Sequence, residues 1–139
     1  MPAPVVLQVH IPGEPVAKGR PRVTKGGTAY TPQRTRSAEA WVKACMVQQV
    51  GQPCLEGPLI VDVMVVLDIP ISWPRKKREG AQRGEVRPTS RPDLDNYAKL
   101  ICDAGNGLLW KDDSQIVSAM LSKRYGDKPG ITISVQAAA

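Results

Sequence analysis

The stretch Leu-Ile-Val-Asp-Val-Met-Val-Val-Leu-Asp-Ile, residues 59–69, constrains the fold of this chain more than any other. Every second residue of the stretch, from the first to the last, is apolar. Because successive side chains of a strand point to opposite faces, these residues share one face, while Asp62 and Asp68 lie on the other. The pattern predicts a strand with one buried face that stops at Pro70.

The remaining elements follow from shorter patterns. Residues 5–11 predict a strand, residues 12–36 a long loop, and residues 37–50 a helix that Ser37 caps and Gly51 ends. The core face of that helix is predicted to carry Ala38, Trp41, Val42 and Cys45.

The second half predicts a short helix over 75–82 and a longer one over 94–104. Strands over 115–125 and 131–136 follow, and the turn 126–130 between them is typical of a hairpin. The order β-α-β-(basic loop)-α-β-β predicts an α/β (α+β) fold, with a mixed sheet packed against two main helices.

Length and composition exclude several classes of protein. The 139 residues fit a single domain spanning residues 1–139. We expect no membrane association and a cytoplasmic location, because no apolar run approaches ~20 residues and the N-terminus lacks a signal-peptide pattern. Three cysteines without a CxxC pair argue against a disulfide framework or a zinc knuckle. The single histidine, His10, falls on a predicted strand and excludes HExxH zinc chemistry.

The net charge of +6 is unevenly distributed. Residues 18–36 carry a net charge of +6 and residues 72–91 carry +5, whereas residues 92–113 hold five aspartates against two lysines. Two basic segments beside an acidic cluster favour nucleic-acid binding over solvated loops. The residues expected to contact DNA phosphates are Lys18, Arg20, Arg22, Arg75, Lys76, Lys77 and Arg78. Trp73, beside the second basic run, is expected either to stack on an open base or to pack in the core or a dimer interface.

The acidic cluster contains two pairs of aspartates. In the first pair, Asp93 and Asp95 flank the apolar Leu94 at a predicted helix start, and Lys99 lies four residues after Asp95 on the same face. Asp103 lies four residues after Lys99 and could pair with it. The alternative is structural, because aspartate is favoured at a helix N-terminus.

The second pair, Asp112-Asp113, precedes a predicted strand and could be a turn. If that strand neighbours the helix, however, the two pairs approach each other and their carboxylates repel. A hard divalent cation relieves this repulsion, and Mg²⁺ prefers carboxylate oxygens completed by water and substrate phosphate. An oxygen-only site beside basic segments suits metal-dependent phosphodiester hydrolysis.

The combination Arg91-Pro92-Asp93-Leu94-Asp95-Asn96, Lys99, Asp103 and Asp112-Asp113-Ser114-Gln115 resembles the RusA family of Holliday junction resolvases, in its phage and prophage branch. The resemblance implies a homodimer and paired, Mg²⁺-dependent nicks in four-way DNA junctions during recombination and repair, with Mn²⁺ as a substitute metal and no small-molecule cofactor.

The resemblance also implies roles for single residues. Asp93, Asp95 and Asp113 would be catalytic and hold the metal, and Lys99 would be catalytic; the roles of Asp103 and Asp112 are less defined. Other functions stay open: a Mg²⁺ nuclease for other branched DNA, a non-catalytic DNA-binding module, and a domain that binds an acidic protein.

Overall fold

Strands and helices are mixed along the chain in the computed structural model, which describes residues 5–19, 22–30 and 32–138. The strands are β1 (Val5–Pro12), β2 (Arg22–Val23), β3 (Ala29–Tyr30), β4 (Leu59–Leu67), β5 (Ile116–Tyr125) and β6 (Gly130–Ala137). The helices are α1 (Gln33–Val50), α2 (Arg75–Gln82) and α3 (Leu94–Gly105), and a 3₁₀ turn covers Asp113–Gln115.

Four strands form the main sheet in the order β1-β6-β4-β5. β4 pairs antiparallel with β6 and parallel with β5, so the sheet is mixed, as predicted. Val61, Val63 and Val65 of β4 are buried, which confirms the apolar face expected of this stretch. The fold is therefore a small α+β domain whose sheet is built on β4.

The predicted hairpin between the last two strands is wrong. β5 and β6 lie on opposite sides of β4 and do not pair with each other. The connecting turn spans two strand spacings, about 10 Å, and Gly126 fastens it to the end of β4 by donating its N–H to the Leu67 carbonyl over 3.0 Å. The turn residues indicated that the strands are consecutive, but they could not indicate which neighbour each strand takes.

The loop predicted over 12–36 is interrupted by structure. β2 and β3, each two residues long, pair as an antiparallel hairpin. α1 begins at Gln33 after Pro32 rather than at a cap on Ser37. The Ser37 hydroxyl instead accepts a hydrogen bond from the Gln33 side chain within the helix. Proline is favoured near a helix start because its missing N–H costs no hydrogen bond there. Pro32, rather than Ser37, therefore marks the start of α1.

α1 ends at Gly51, as predicted, where φ is 70° and glycine is favoured. Val42 and Cys45 lie in the core and Ala38 packs against it, but Trp41 is 51% exposed and does not belong there. The Trp41 indole N–H donates to the Pro12 carbonyl over 3.2 Å. The ring therefore lies over the end of β1, because its N–H keeps a partner there.

α1 and α3 pack against each other, and their contact completes the core. The sequence predicts an apolar stripe of Leu94, Tyr97, Ala98, Ile101 and Cys102 on α3, and Tyr97 and Ile101 are buried as expected. Leu100, which that stripe did not include, is buried as well. Trp110 is fully buried and satisfies its indole N–H with the Asn106 side chain at 2.8 Å. α3 is thereby held rigidly, which fixes the direction in which its first turn points.

The short helix α2 has the predicted bounds and lies between β4 and α3 along the chain. Gly80 and Ala81 are its buried residues, while its basic residues face solvent. The second basic segment is therefore partly packed rather than a free arm. None of the described helices is long and apolar enough to cross a membrane. Cys45, Cys54 and Cys102 are free thiols, in agreement with the absence of a disulfide framework.

The contact between Gly105 and Trp110 provides a test of the core. A Cβ added at Gly105 would lie 2.8 Å from Cζ2 of the buried indole. We expect Gly105→Ala to lower the free energy of unfolding by about 1–3 kcal/mol through overpacking, measured by urea denaturation. At Gly26 the nearest atom is 3.9 Å away, so Gly26→Ala should change stability by less than about 0.5 kcal/mol. Equal effects of the two substitutions would contradict this packing.

Candidate active site

Asp93 and Asp95 lie at the start of α3. Asp93 occupies the N-cap position with an extended backbone, yet its side chain makes no capping hydrogen bond. Asp95 lies in the first turn, and both residues are exposed. A helix N-terminus favours carboxylates through its unpaired N–H groups and its dipole. The two carboxylates are therefore placed favourably without being consumed by a capping role.

Lys99 lies one turn after Asp95, as the spacing predicted. Its ammonium is 3.6 Å from the Asp95 carboxylate, and the two side chains are 62% and 65% exposed. Exposed ion pairs of this kind contribute roughly 0–1 kcal/mol. Neither partner is therefore locked by the other, and both can turn toward a bound anion or cation.

Asp112 and Asp113 adopt different positions. The Asp112 carboxylate accepts the Ser114 N–H at 3.1 Å, and the Gln115 side chain accepts the Asp112 N–H at 3.0 Å, which completes a capping box. The hydrogen bonds from Ser114 lower the pKa of Asp112. Asp112 thus begins the 3₁₀ turn, whereas Asp113, its first residue, is half-buried.

Asp113 lines a cavity of about 160 Å³ between α3 and β5, together with Ala98 and Cys102 of α3. Burial raises the pKa of the Cys102 thiol to about 11, with further contributions from the charges of Asp113 and Asp103. Ala98 follows Asp95 by about 4.5 Å along the helix axis. The structure therefore places Asp113 beside the second and third turns of α3, near the face that carries Asp95 and Lys99.

A divalent cation suits these donors by chemistry, since all are carboxylate oxygens and no thiolate or imidazole takes part. Within residues 5–19, 22–30 and 32–138, however, no three His, Cys, Asp or Glu side chains converge closely enough to hold a metal by themselves. Mg²⁺ usually retains several waters and takes only one or two carboxylates beside substrate phosphate. The donor set fits an ion that the substrate completes, and the protein alone forms no closed cage.

Lys18 and Asp103 form an ion pair that sequence spacing did not predict. The Lys18 ammonium lies 2.6 Å from the Asp103 carboxylate, and its backbone N–H donates to the Asn96 carbonyl at 3.0 Å. The expected pairing of Asp103 with Lys99 is therefore wrong. Both interactions fasten the loop after β1 to α3, because one joins the backbone and the other the side chain.

The other predicted DNA contacts are spread over two surfaces. Arg22 is exposed on β2, and Arg20 lies outside the described residues. On α2, Arg75 pairs with Glu79 at 3.0 Å, and the Lys77 ammonium lies 3.9 Å from the centre of the Trp73 ring. The ring of Trp73 also packs edge-on against a tyrosine of β5. Lys76 and Arg78 are exposed on the same helix.

Three residues escaped the sequence-based reasoning. Lys123 of β5 donates to the carbonyls of Ser90 and Pro92, at 2.9 and 3.1 Å, and so holds the start of α3. Arg34 and Arg91 line a second and larger cavity. Arg34 and Arg91 lie in the two basic segments of the sequence, but no local spacing could predict that residues so far apart line one cavity.

Comparison with known proteins agrees with the resemblance noted above. The family model described as "Endodeoxyribonuclease RusA" matches residues 12–136. A protein of Bacillus subtilis (strain 168), named "Uncharacterized protein YqaN", is 37% identical over 135 residues. That match covers 94% of this chain and 95% of the relative.

The proximity of Asp113 to Cys102 can be measured by thiol reactivity. We expect alkylation of Cys102 by iodoacetamide to rise with a midpoint near pH 11, about the pKa of its thiol. Asp113→Asn removes a negative charge that opposes the thiolate, so the midpoint should fall, yet it should stay above the usual 9.0 because burial persists. Peptide mass spectrometry would follow each cysteine, with the exposed Cys54 as internal reference. The Asp62→Asn control should leave the midpoint of Cys102 alkylation unchanged. An equally unchanged midpoint in Asp113→Asn would contradict the proximity of Asp113 to Cys102.

The ion pair between Lys18 and Asp103 can be tested by a double-mutant cycle with Lys18→Met and Asp103→Asn. We expect a coupling free energy of up to about 1 kcal/mol at pH 7, because both side chains remain partly exposed. The hydrogen bond to Asp103 raises the pKa of Lys18 above 10.5. The coupling should therefore be fully present from pH 7 up to about pH 10.5 and vanish as the pH rises through that raised pKa. If the ion pair contributes nothing to stability, the two substitutions will have additive effects on the free energy of unfolding measured by urea denaturation.

Proposed function

The chain belongs to the RusA endodeoxyribonuclease family, whose members cut DNA at Holliday junctions, and from this premise we propose that it resolves four-way junctions by paired, Mg²⁺-dependent nicks. The observation that carries the proposal is the start of α3, where Asp93 and Asp95 present exposed carboxylates that no capping hydrogen bond consumes. A purely structural pair of aspartates would be expected to cap the helix.

In this proposal Asp93, Asp95 and Asp113 hold the divalent cation, Mg²⁺ or Mn²⁺ in its place. Members of the family are generally dependent on divalent metals. When bound, such an ion supplies Lewis-acid polarisation of the scissile phosphate and an activated water. The half-buried position of Asp113 beside α3 supports its inclusion, whereas the capping role of Asp112 argues for leaving that residue out.

Lys99 is proposed to neutralise the charge that develops on the phosphoryl oxygens. Its ammonium lies 3.6 Å from Asp95 and remains largely exposed. A phosphate bound near Asp95 would therefore lie within reach of this cation. Preorganised charge of this kind acts mainly on the transition state rather than on substrate binding.

Phosphates other than the scissile one are proposed to contact Arg22 and the basic face of α2, with Arg75, Lys76, Lys77 and Arg78. Lys76 and Arg78 are exposed in the structure, which supports this role more directly than the paired Arg75. Arg20 is retained from the sequence alone. Lys18 is the weakest member, because its ammonium is occupied by Asp103.

A homodimer would match the symmetry of the substrate, since a four-way junction offers two equivalent strands and a twofold dimer offers two equivalent sites. β5 forms one edge of the main sheet, and Val117 and Met120 are exposed on it. Exposed apolar residues on an edge strand support the proposal, because such edges are normally covered.

The proposal predicts a specific cleavage pattern. In Mg²⁺, the protein should place symmetric nicks in an immobile four-way junction and leave a linear duplex of the same sequence intact, with no cutting in EDTA. Asp95→Asn should abolish cutting, and Lys99→Ala should slow it by about 10²–10³-fold with little change in junction affinity. Asp62→Asn, an exposed aspartate outside the site, should cut normally. Gel analysis of end-labelled strands would measure all four proteins.

The outcomes separate the alternatives. Equal cutting of flaps and forks would favour a broader nuclease for branched DNA over a resolvase. Tight junction binding without cutting in any divalent metal would favour a non-catalytic DNA-binding module. Retained activity in Asp95→Asn would refute the metal assignment.

A further inference from the structure

A cavity of about 630 Å³ lies beside Arg91 and Pro92, the two residues that precede Asp93. Its walls come from the loop after β1, the hairpin of β2 and β3, the first turn of α1, and the ends of β4 and β5. The residues on which the argument rests are Arg22, Arg34, Arg91, Pro92, Tyr97 and Tyr125. The volume lies within the range of small-molecule sites, roughly 300–1,000 Å³.

The loop that forms one wall is anchored at two helices. The Gly19 N–H donates to the Thr35 hydroxyl of α1 at 2.9 Å, and Thr35 is buried. Lys18 joins the same loop to α3 through the Asn96 carbonyl and the Asp103 carboxylate. On the opposite wall, Gly126 ties β5 to β4. These contacts hold the loop after β1 and the ends of β4 and β5 in place around the cavity.

The lining combines an apolar floor with a cationic rim. Tyr125 is half-buried, so part of its ring offers apolar area, whereas Tyr97 is 1% exposed and only closes the floor of the cavity. Arg22, Arg34 and Arg91 are exposed, and none of them forms an ion pair with a residue in the described part of the chain. This differs from Lys18, whose ammonium is already paired. Three guanidinium groups without carboxylate partners favour binding of an anion.

Two carboxylates complete the lining. Glu14 and Asp68 are exposed and lie among the same residues. The charges of Glu14 and Arg34 both reach the Tyr97 hydroxyl, since burial and Glu14 raise the pKa of that group and Arg34 lowers it. Carboxylate oxygens repel phosphate but accept hydrogen bonds from the amino and imino groups of bases. The lining therefore suits an aromatic base together with its phosphates better than inorganic phosphate alone.

The cavity adjoins the proposed cutting site through the chain itself. Arg91 and Pro92 line it, and Asp93 follows at the N-cap of α3. A strand whose scissile phosphate lies at Asp93 and Asp95 would therefore place the next nucleotide at the mouth of this cavity. At the branch point of a junction, nucleotides can leave the stack more readily than in a continuous duplex.

We propose that this cavity holds one unstacked nucleotide of the DNA strand being cut, with its base against Tyr125 and its phosphates on Arg22, Arg34 and Arg91. The proposal rests on the proposed function, because it takes DNA as the substrate. Base stacking on aromatic rings tolerates any sequence, and the arginines read only the backbone. The cavity would thus position the strand without itself selecting a sequence.

The test uses single-stranded DNA, which presents unstacked bases without requiring a junction. Affinities of the full-length protein would be measured in EDTA at fixed salt for a fluorescein-labelled hexanucleotide, for a fully abasic strand of equal length, and for thymidine monophosphate. We expect the hexanucleotide to bind at least about fivefold more tightly than the abasic strand. Arg34→Gln should weaken hexanucleotide binding by at least about fivefold, and Arg91→Gln should do the same.

Arg36→Gln is the matched control. Arg36 is exposed on the same helix turn as Arg34, but it bonds to the Gln33 side chain and does not line the cavity. Its substitution should change affinity by less than about twofold. Equal losses in Arg34→Gln and Arg36→Gln would overturn the proposal, as would equal affinity for the abasic strand. Thymidine monophosphate binding as tightly as the hexanucleotide would overturn the assignment to a DNA strand.

Junction cutting, measured separately on the same proteins, distinguishes the two proposals. A wild-type protein that nicks junctions, while Arg34→Gln binds single strands normally, would reject the cavity and leave the resolvase function standing. A protein that binds single strands through Arg34 and never cuts a junction would reject the resolvase function and leave nucleotide binding by the cavity standing.

Discussion

The pairing of β4 with a parallel partner on one side and an antiparallel partner on the other governs the arrangement of this domain. A parallel pair cannot be joined by a tight turn, so the chain must return to the starting end of the sheet before β5 begins. That return contains α2, α3 and the 3₁₀ turn over Asp113–Gln115. The segments that carry the candidate chemistry are thus the crossover that the parallel pair requires.

This crossover gives α3 its direction. Its start lies near the ends of β4 and β5, where Leu67, Pro92 and Tyr125 line one cavity, and its third turn lies near Asp113, just before β5 begins. Asp93 and Asp95 therefore lie at the start of the helix, and Asp113 lies beside its second and third turns. Pro92, whose carbonyl accepts a hydrogen bond from Lys123, separates Arg91 of the larger cavity from Asp93 at the start of α3. Opposite charges are kept apart on a rigid frame, which suits a polyanion bound beside a cation.

Local signals in the sequence were sufficient for most elements. The bounds of α2 were predicted as observed, and those of α3 differ by one residue, because apolar spacing and glycine ends act within a single turn. Contacts between distant residues were not predictable in this way. The strand neighbours of β6 and the pairing of Lys18 with Asp103, 85 residues apart, depend on the assembled sheet. Within the site, the position of Lys99 beside Asp95 followed from helical spacing, whereas the place of Asp113 beside Cys102 required the fold.

Aspartate occupies the N-cap of two helices in this region and has a different role in each. Asp112 and Asp93 both occupy N-cap positions, but only Asp112 accepts a backbone N–H and completes a capping box. A capping bond is worth about 1 kcal/mol, and α3 forgoes this stabilisation from Asp93. Its first-turn N–H groups and the positive end of its dipole then stay directed outward, together with two carboxylates. Local rules are broken in this way mainly where function requires it, which agrees with the proposal that the start of α3 receives a cation and a phosphate.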